Sequence, residues 1–143
     1  MLVIASRLGN GVFWYTLIAA MIVLDGYRGV TAAVHMVLVG LAGTVVYKLL
    51  KAGTLRPRPY SVQPDITVCA APLDQFSFPS GHTLHATAFT LVAVSYYPAL
   101  WPLLAPFALL VAASRVVLGL HYPSDVLAGA LIGAAFAVLS TLL

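Results

Sequence analysis

Apolar residues run through this chain in long unbroken blocks, not in the alternation of strands or the single stripe of a surface helix. Five blocks read as membrane helices: about Leu8 to Leu24, Val30 to Leu50, His82 to Tyr97, Leu100 to Leu118, and Ser124 to Leu143. The first is short for a span that needs ~20 residues. Tight connectors join the first two (Asp25-Gly26-Tyr27-Arg28-Gly29) and the third and fourth (around Pro98). The segment 52–79 is polar and proline-rich, the expected place for irregular, functional backbone. The pattern predicts an all-α polytopic bundle of about five transmembrane helices, forming one domain over residues 1–143.

Following these helices up and down through a bilayer sorts the charges. Of eleven formally charged residues, nine fall at one face: Arg7, Lys48, Lys51, Arg56, Arg58, Asp65, Asp74, Arg115 and Asp125. Only Asp25 and Arg28 fall at the other. A charge at the bilayer centre costs roughly 2.5–3.5 kcal/mol on insertion scales, so charge at helix ends is ordinary. The imbalance is not, and it predicts an active site at one membrane face.

Composition agrees with a lipid solvent. Hydrophobic residues make up 62% of the 143, and charged ones only 8%, where a soluble domain carries about 25%. The mean hydropathy is +1.01. A net charge of +3 does not indicate nucleic acid, because no basic patch interleaves with aromatics on a soluble face. The single cysteine, Cys69, has no disulfide or zinc partner. The N-terminus lacks a basic n-region and a small-residue cleavage site, so residue 1 is expected to open the mature chain.

Three clusters sit at the charged helix ends. They are Lys51-Ala-Gly-Thr-Leu-Arg-Pro-Arg58-Pro59, Pro79-Ser80-Gly81-His82, and Ser114-Arg115 with His121 and Asp125. Phosphoryl transfer spreads negative charge over three oxygens, so its catalysis is mostly positioning and electrostatic stabilisation. Lys51, Arg58 and Arg115 supply three cations, the arginines as planar forks and the lysine as a point charge. Ser80 and Gly81 open a helix N-terminus, where backbone N–H groups favour an anion. His121, four residues before Asp125, fits a nucleophile whose other ring nitrogen a carboxylate orients. His82, beside the anion site, fits a general acid. The chain has no glutamate to help hold Mg²⁺, so a metal-free, cofactor-free mechanism is expected.

These clusters resemble the Lys-x6-Arg-Pro, Pro-Ser-Gly-His and Ser-Arg-x5-His-x3-Asp motifs of the type 2 phosphatidic acid phosphatase superfamily. That group includes lipid phosphate phosphatases, undecaprenyl pyrophosphate phosphatases and vanadium haloperoxidases, and the chain is most similar to its membrane-bound bacterial members. Lys51, Arg58, Pro59, Pro79, Ser80, Gly81, His82, Ser114, Arg115, His121 and Asp125 all match, in order. The resemblance implies a phosphohistidine on His121, with Asp125 as its partner and His82 as general acid. It implies Lys51, Arg58, Arg115, Ser80 and Gly81 around the phosphate. Ser114 carries low weight, because it also suits simple helix packing. Membrane members usually have six helices, and the one that would precede Arg7 has no counterpart here.

The implied partner is a membrane lipid phosphate: undecaprenyl pyrophosphate first, then phosphatidic acid or phosphatidylglycerol phosphate. The resemblance also implies a bacterial inner-membrane location with the site facing outward, although the count of free basic residues leans the other way. The rival classes are a transporter, a non-catalytic membrane protein and, behind these, a vanadate-dependent haloperoxidase. Against transport, carriers hold their sites near mid-depth, and only His35 lies there. A neutral His35 bonded to a neighbouring helix is the expected reading, and His85 is left outside the catalytic set. Arg56 stays open between an interfacial anchor and a site residue. Trp14, Tyr15, Tyr96, Tyr97 and Trp101 are expected in interfacial aromatic belts. Asp65 and Asp74 are expected to be solvated. Nothing in the sequence fixes an oligomeric state.

Overall fold

The computed structural model describes residues 1–62 and 74–142. Its regular elements among those residues are all helices: α1 (Leu2–Leu8), α2 (Val12–Thr54), α3 (Pro59–Val62), α4 (Gly81–Tyr96), α5 (Trp101–Val117) and α6 (Pro123–Leu142). A short 3₁₀ turn, Pro98–Leu100, leads into α5.

Helix α2 is two arms, not one rod. Asp25 and Gly26 leave helical geometry, Gly26 with φ 49° and ψ −119°, a region that glycine enters without steric cost. Beyond it the chain doubles back, so that a Cβ on Gly29 would lie 1.9 Å from the Met21 carbonyl. The arms 12–24 and 27–54 therefore form the hairpin predicted for the first two spans. The N-terminal boundary differs from expectation. Gly9, Asn10 and Gly11 break the helix, Gly11 with φ 132°, and α1 turns aside to pack on α5. Hydropathy alone reads through this break, because apolar residues flank it on both sides.

Helix α4 is the hub, with the other long helices packed around it. No residue from Gly81 to Val94 is exposed. At 16 residues it is about 24 Å long by its rise per residue, short for a span but shielded from lipid by its neighbours. Gly129 and Gly133 bring α6 onto it, since Cβ atoms there would stand 2.5 Å from the Ser80 carbonyl and 2.3 Å from the Leu84 carbonyl. Such small residues permit close helix approach where lipid offers no hydrophobic drive. Met36, Leu84, Val92, Leu104 and Val111 fill the core between helices. Trp14, expected in an interfacial belt, is buried there instead, edge-on to Phe13, Phe89 and Phe107.

The outer surface is apolar, with Leu38, Leu49, Leu109, Leu131 and Leu139 all exposed. Buried among the helices are Lys51, Arg58, Arg115 and Asp125. That inversion of a water-soluble protein is what a bilayer selects. Three stretches are long and apolar enough to cross a membrane: Val12–Val62, Pro98–Val117 and Pro123–Leu142. The first contains the hairpin.

Neighbour pairs fix the helix directions. Asn10 meets His82 and Asp25 meets Tyr97, so arm 12–24 runs parallel to α4. His35 meets Tyr96 while Thr44 meets His85, so arm 27–54 runs antiparallel. Arm 27–54 and α5 thus end at the face where arm 12–24, α4 and α6 begin. At the opposite end Asp25, Arg28 and Tyr97 form a small exposed cluster, the Tyr97 hydroxyl donating to Asp25 at 2.9 Å.

Candidate active site

The converging helix ends enclose a cavity of about 490 Å³. Lys51, Arg58, Gly81, His82, Arg115 and His121 all line it, together with Tyr47, Asp74 and Phe76. Lys51 comes from the last turn of α2, which ends at Leu55 in the left-handed region. The extended stretch that follows carries Arg58 inward to 3% exposure.

The two cations share one acceptor. Lys51 Nζ donates to Asp74 Oδ1 at 2.7 Å, and Arg58 Nη2 donates to the same oxygen at 2.8 Å. Lys51 also reaches the Phe76 carbonyl at 2.7 Å, and Arg58 Nε the Asp74 carbonyl at 3.0 Å. Asp74 keeps the solvent exposure expected from sequence, with 40% of its side chain exposed, but it also pairs with two cations, which the sequence did not show. Burial opposes its ionisation, but the hydrogen bonds and charges of Lys51 and Arg58 prevail and hold its carboxyl below the ordinary value. Asp65 and Cys69 lie outside the described residues.

His121 sits in the turn after α5, where the Leu120 and His121 amides both donate to the Arg115 carbonyl. Its Nδ1 lies 2.6 Å from the Ser77 carbonyl. A carbonyl only accepts, so Nδ1 carries the hydrogen and Nε2 is left as a bare lone pair. Arg58 Nη1 lies 3.3 Å from that Nε2 and also donates to the Leu120 carbonyl at 2.7 Å. The Asp125 carboxylate stands 3.7 Å from Nδ1, beyond hydrogen-bond reach. The ring's direct acceptor is thus a backbone carbonyl, with the buried carboxylate close behind. Burial, assisted by the charges of Arg58 and Lys51, pushes the imidazole below its ordinary value, against the opposing pull of Asp125 and the Ser77 carbonyl.

His82 Nε2 donates to the Asn10 amide oxygen at 2.6 Å, and the same oxygen takes Arg115 Nη2 at 3.4 Å. Arg115 also donates to the Ser6 carbonyl at 3.0 Å. Its Nε, among the described residues, is buried without a partner. Ser80 and Ser114 do not line the cavity. Ser80 caps α4 through the Thr83 amide, and its own N–H donates to the Asp125 carbonyl at 3.0 Å. The Ser114 hydroxyl donates back to the Val111 carbonyl at 2.6 Å.

Sequence reading missed Asn10 and the pairing of Asp74 with Lys51 and Arg58. It also left open Arg56, which donates to Asp125 Oδ1 at 2.7 Å. His35 is bonded to Tyr96 and Ser140 on neighbouring helices, as expected for a neutral ring. His85 faces Gly81, Gly40 and Thr44, away from the cavity.

A membrane bundle that gathers three guanidinium or ammonium groups and two histidines at one end has the charge to hold a phosphate there. The chain belongs to the PAP2 superfamily, whose sequence profile matches residues 29–143, and it is a membrane lipid phosphatase. It is 31% identical over 143 residues to an undecaprenyl-diphosphatase of Sulfolobus acidocaldarius, covering 98% of this chain and 68% of that one. Other curated relatives are matched over less than half their length. Among solved structures it is similar to a transmembrane PAP2 type phosphatidylglycerolphosphate phosphatase from Bacillus subtilis. That similarity has a TM-score of 0.76 and 29% identity, over 98% of this chain and 73% of that one. It is also similar to Aquifex aeolicus LpxE, with a TM-score of 0.85 and 26% identity over 99% of this chain and 84% of the other.

Proposed function

We propose that the protein hydrolyses a lipid phosphate or pyrophosphate through a phosphohistidine on His121. The observation that carries this reading is the unprotonated Nε2 of His121, left so by the bond of Nδ1 to the Ser77 carbonyl and set beside Arg58 in the cavity that Lys51, Arg58 and Arg115 line. Nε2 attacks phosphorus, an N–P bond forms, and the bond to the leaving lipid oxygen breaks. His82, which also lines the cavity, gives that oxygen a proton. Water then attacks the phosphohistidine, loses its proton to His82, and releases inorganic phosphate and neutral His121. Lys51, Arg58, Arg115 and the Gly81 backbone hold the phosphoryl oxygens, while Ser80 shapes the helix terminus. Asp125 stabilises the imidazolium that develops.

The first substrate to test is undecaprenyl pyrophosphate, followed by phosphatidylglycerol phosphate and phosphatidic acid. The names carried by the relatives support this order. The site lies at a helix-end face, where the phosphate of such a lipid sits while its tail stays among the helices or in the bilayer. A bacterial inner membrane with the site facing outward is the proposed setting.

Phosphate release by detergent-purified protein from these three lipids, in EDTA, tests the reading. Release is expected without added metal, and His121→Ala is expected to abolish it. Release that survives His121→Ala unchanged would sink the phosphohistidine.

A further inference from the structure

The tripeptide Arg56-Pro57-Arg58 places its two arginines on opposite sides of the His121 ring. Arg58 lies at Nε2, within the cavity. Arg56 does not line the cavity. Its Nη1 donates to Asp125 Oδ1 at 2.7 Å and to the Ser124 hydroxyl at 2.9 Å. Its guanidinium also stacks 4.2 Å from the centre of the Tyr122 ring, a cation–π arrangement that holds the fork in place. All three partners lie just after His121, Tyr122 in the turn and Ser124 and Asp125 in the first turn of α6.

The carboxylate it holds is the one behind the nucleophile. Asp125 has no exposed side-chain surface, and a buried carboxylate needs both oxygens paired. Oδ2 accepts from the Tyr122 amide at 2.9 Å, and Oδ1 accepts from Arg56. Arg56 is the cation that forms an ion pair with Asp125, apart from the His121 ring itself. The backbone on either side reinforces the link. The Ser77 amide donates to the Arg56 carbonyl at 2.9 Å and its hydroxyl to the Pro57 carbonyl at 3.1 Å, while the Ser77 carbonyl accepts from His121.

We infer that Arg56 is a positioning residue for the reaction: through Asp125, and without touching phosphate, it sets the orientation and proton affinity of His121. The inference rests on the phosphohistidine reading for its catalytic consequence. The imidazole is faced by Lys51 of α2, Arg58 of the stretch after it, Asp74 of the loop, His82 of α4, Arg115 of α5 and Asp125 of α6. Only Asp125 is clamped by Arg56. Removing the Arg56 charge leaves Asp125 less neutralised, which favours the imidazolium.

The experiment compares wild type, Arg56→Gln and Arg56→Lys in detergent. Four quantities are read: kcat and KM for phosphate release, inhibition by orthovanadate, and the NMR titration of the His121 ring assigned against His121→Ala. For Arg56→Gln, kcat is expected to fall by about tenfold or more, the scale on which outer partners of a working imidazole act. KM and vanadate inhibition should stay within about twofold, because no phosphate contact is lost. The His121 titration should move upward by on the order of one unit. Arg56→Lys keeps the charge and should keep the titration close to wild type. A rise in KM and in the vanadate inhibition constant, with the titration unmoved, would make Arg56 a phosphate ligand and overturn the proposal. So would an unchanged kcat and titration, which would make it a mere anchor. The titration needs no turnover, so a wild-type protein without phosphatase activity would remove the phosphohistidine reading while the titration still decides Arg56.

Discussion

At the scale of single residues, the state of His121 determines what the cavity can do. A ring whose Nδ1–H is committed to the Ser77 carbonyl can use only Nε2, and only while that nitrogen is unprotonated. Burial keeps the ring below its ordinary value of 6.5. The neutral, competent form therefore persists at pH 6.5 and is lost only as pH falls through the lowered value. The acid limb of kcat/KM, which reports the free enzyme, is expected below pH 6.5; a limb well above it would assign another group as nucleophile. Motif spacing made Lys51, Arg58, His82, Arg115 and His121 legible, because each lies at a helix end that hydropathy can locate. Asn10, Asp74 and Arg56 were not legible in the same way. Asn10 meets His82 across 72 positions and Arg56 meets Asp125 across 69. No local pattern encodes such a partner. It appears only once the helix ends are brought together.

Elements were readable in the measure that burial follows composition. The turn at Asp25-Gly26 and the start of α6 at Pro123 are written in polar, glycine and proline residues, and the structure has both. The break at Gly9-Asn10-Gly11 was hidden, since three small or polar residues inside an apolar run look like an ordinary interruption. Its consequence is functional, because it brings the Asn10 amide to His82 and Arg115. The contact of α6 with α4 is close because two glycines, Gly129 and Gly133, stand in it. Gly133→Ala would drive a methyl group against the Leu84 backbone, where neither side can move aside cheaply. The expected cost is about 1–3 kcal/mol, read as a lower midpoint of thermal unfolding in detergent. Gly53→Ala, in the open last turns of α2, meets nothing within 4 Å and should be neutral or slightly stabilising. Equal effects from the two substitutions would mean that the α4–α6 contact is looser than described.

For the whole molecule, the fold divides charge between two ends, and that division bears on which side of the membrane the cavity faces. At the site end Lys51, Arg58 and Arg115 line the cavity, and Arg56 is paired with Asp125, so four of the basic residues are committed to local chemistry. Arg7 remains there, as does Lys48, exposed although it also lines the cavity, against Arg28 at the far end, which is itself placed 4.0 Å from Asp25. The positive-inside rule counts basic residues near the ends of spans, and a margin this thin does not overcome the outward orientation proposed here. Cysteines introduced one at a time, in a Cys69→Ser background, read the orientation directly. Gly53→Cys would stand at the site end, in open space. Tyr27→Cys would stand at the other, where the tyrosine is 89% exposed. With the site outside, a membrane-impermeant maleimide is expected to label Gly53→Cys in intact cells, and Tyr27→Cys only after the membrane is opened. The reverse pattern would put the cavity in the cytoplasm and confine its substrates to lipids whose phosphates are displayed on the inner leaflet.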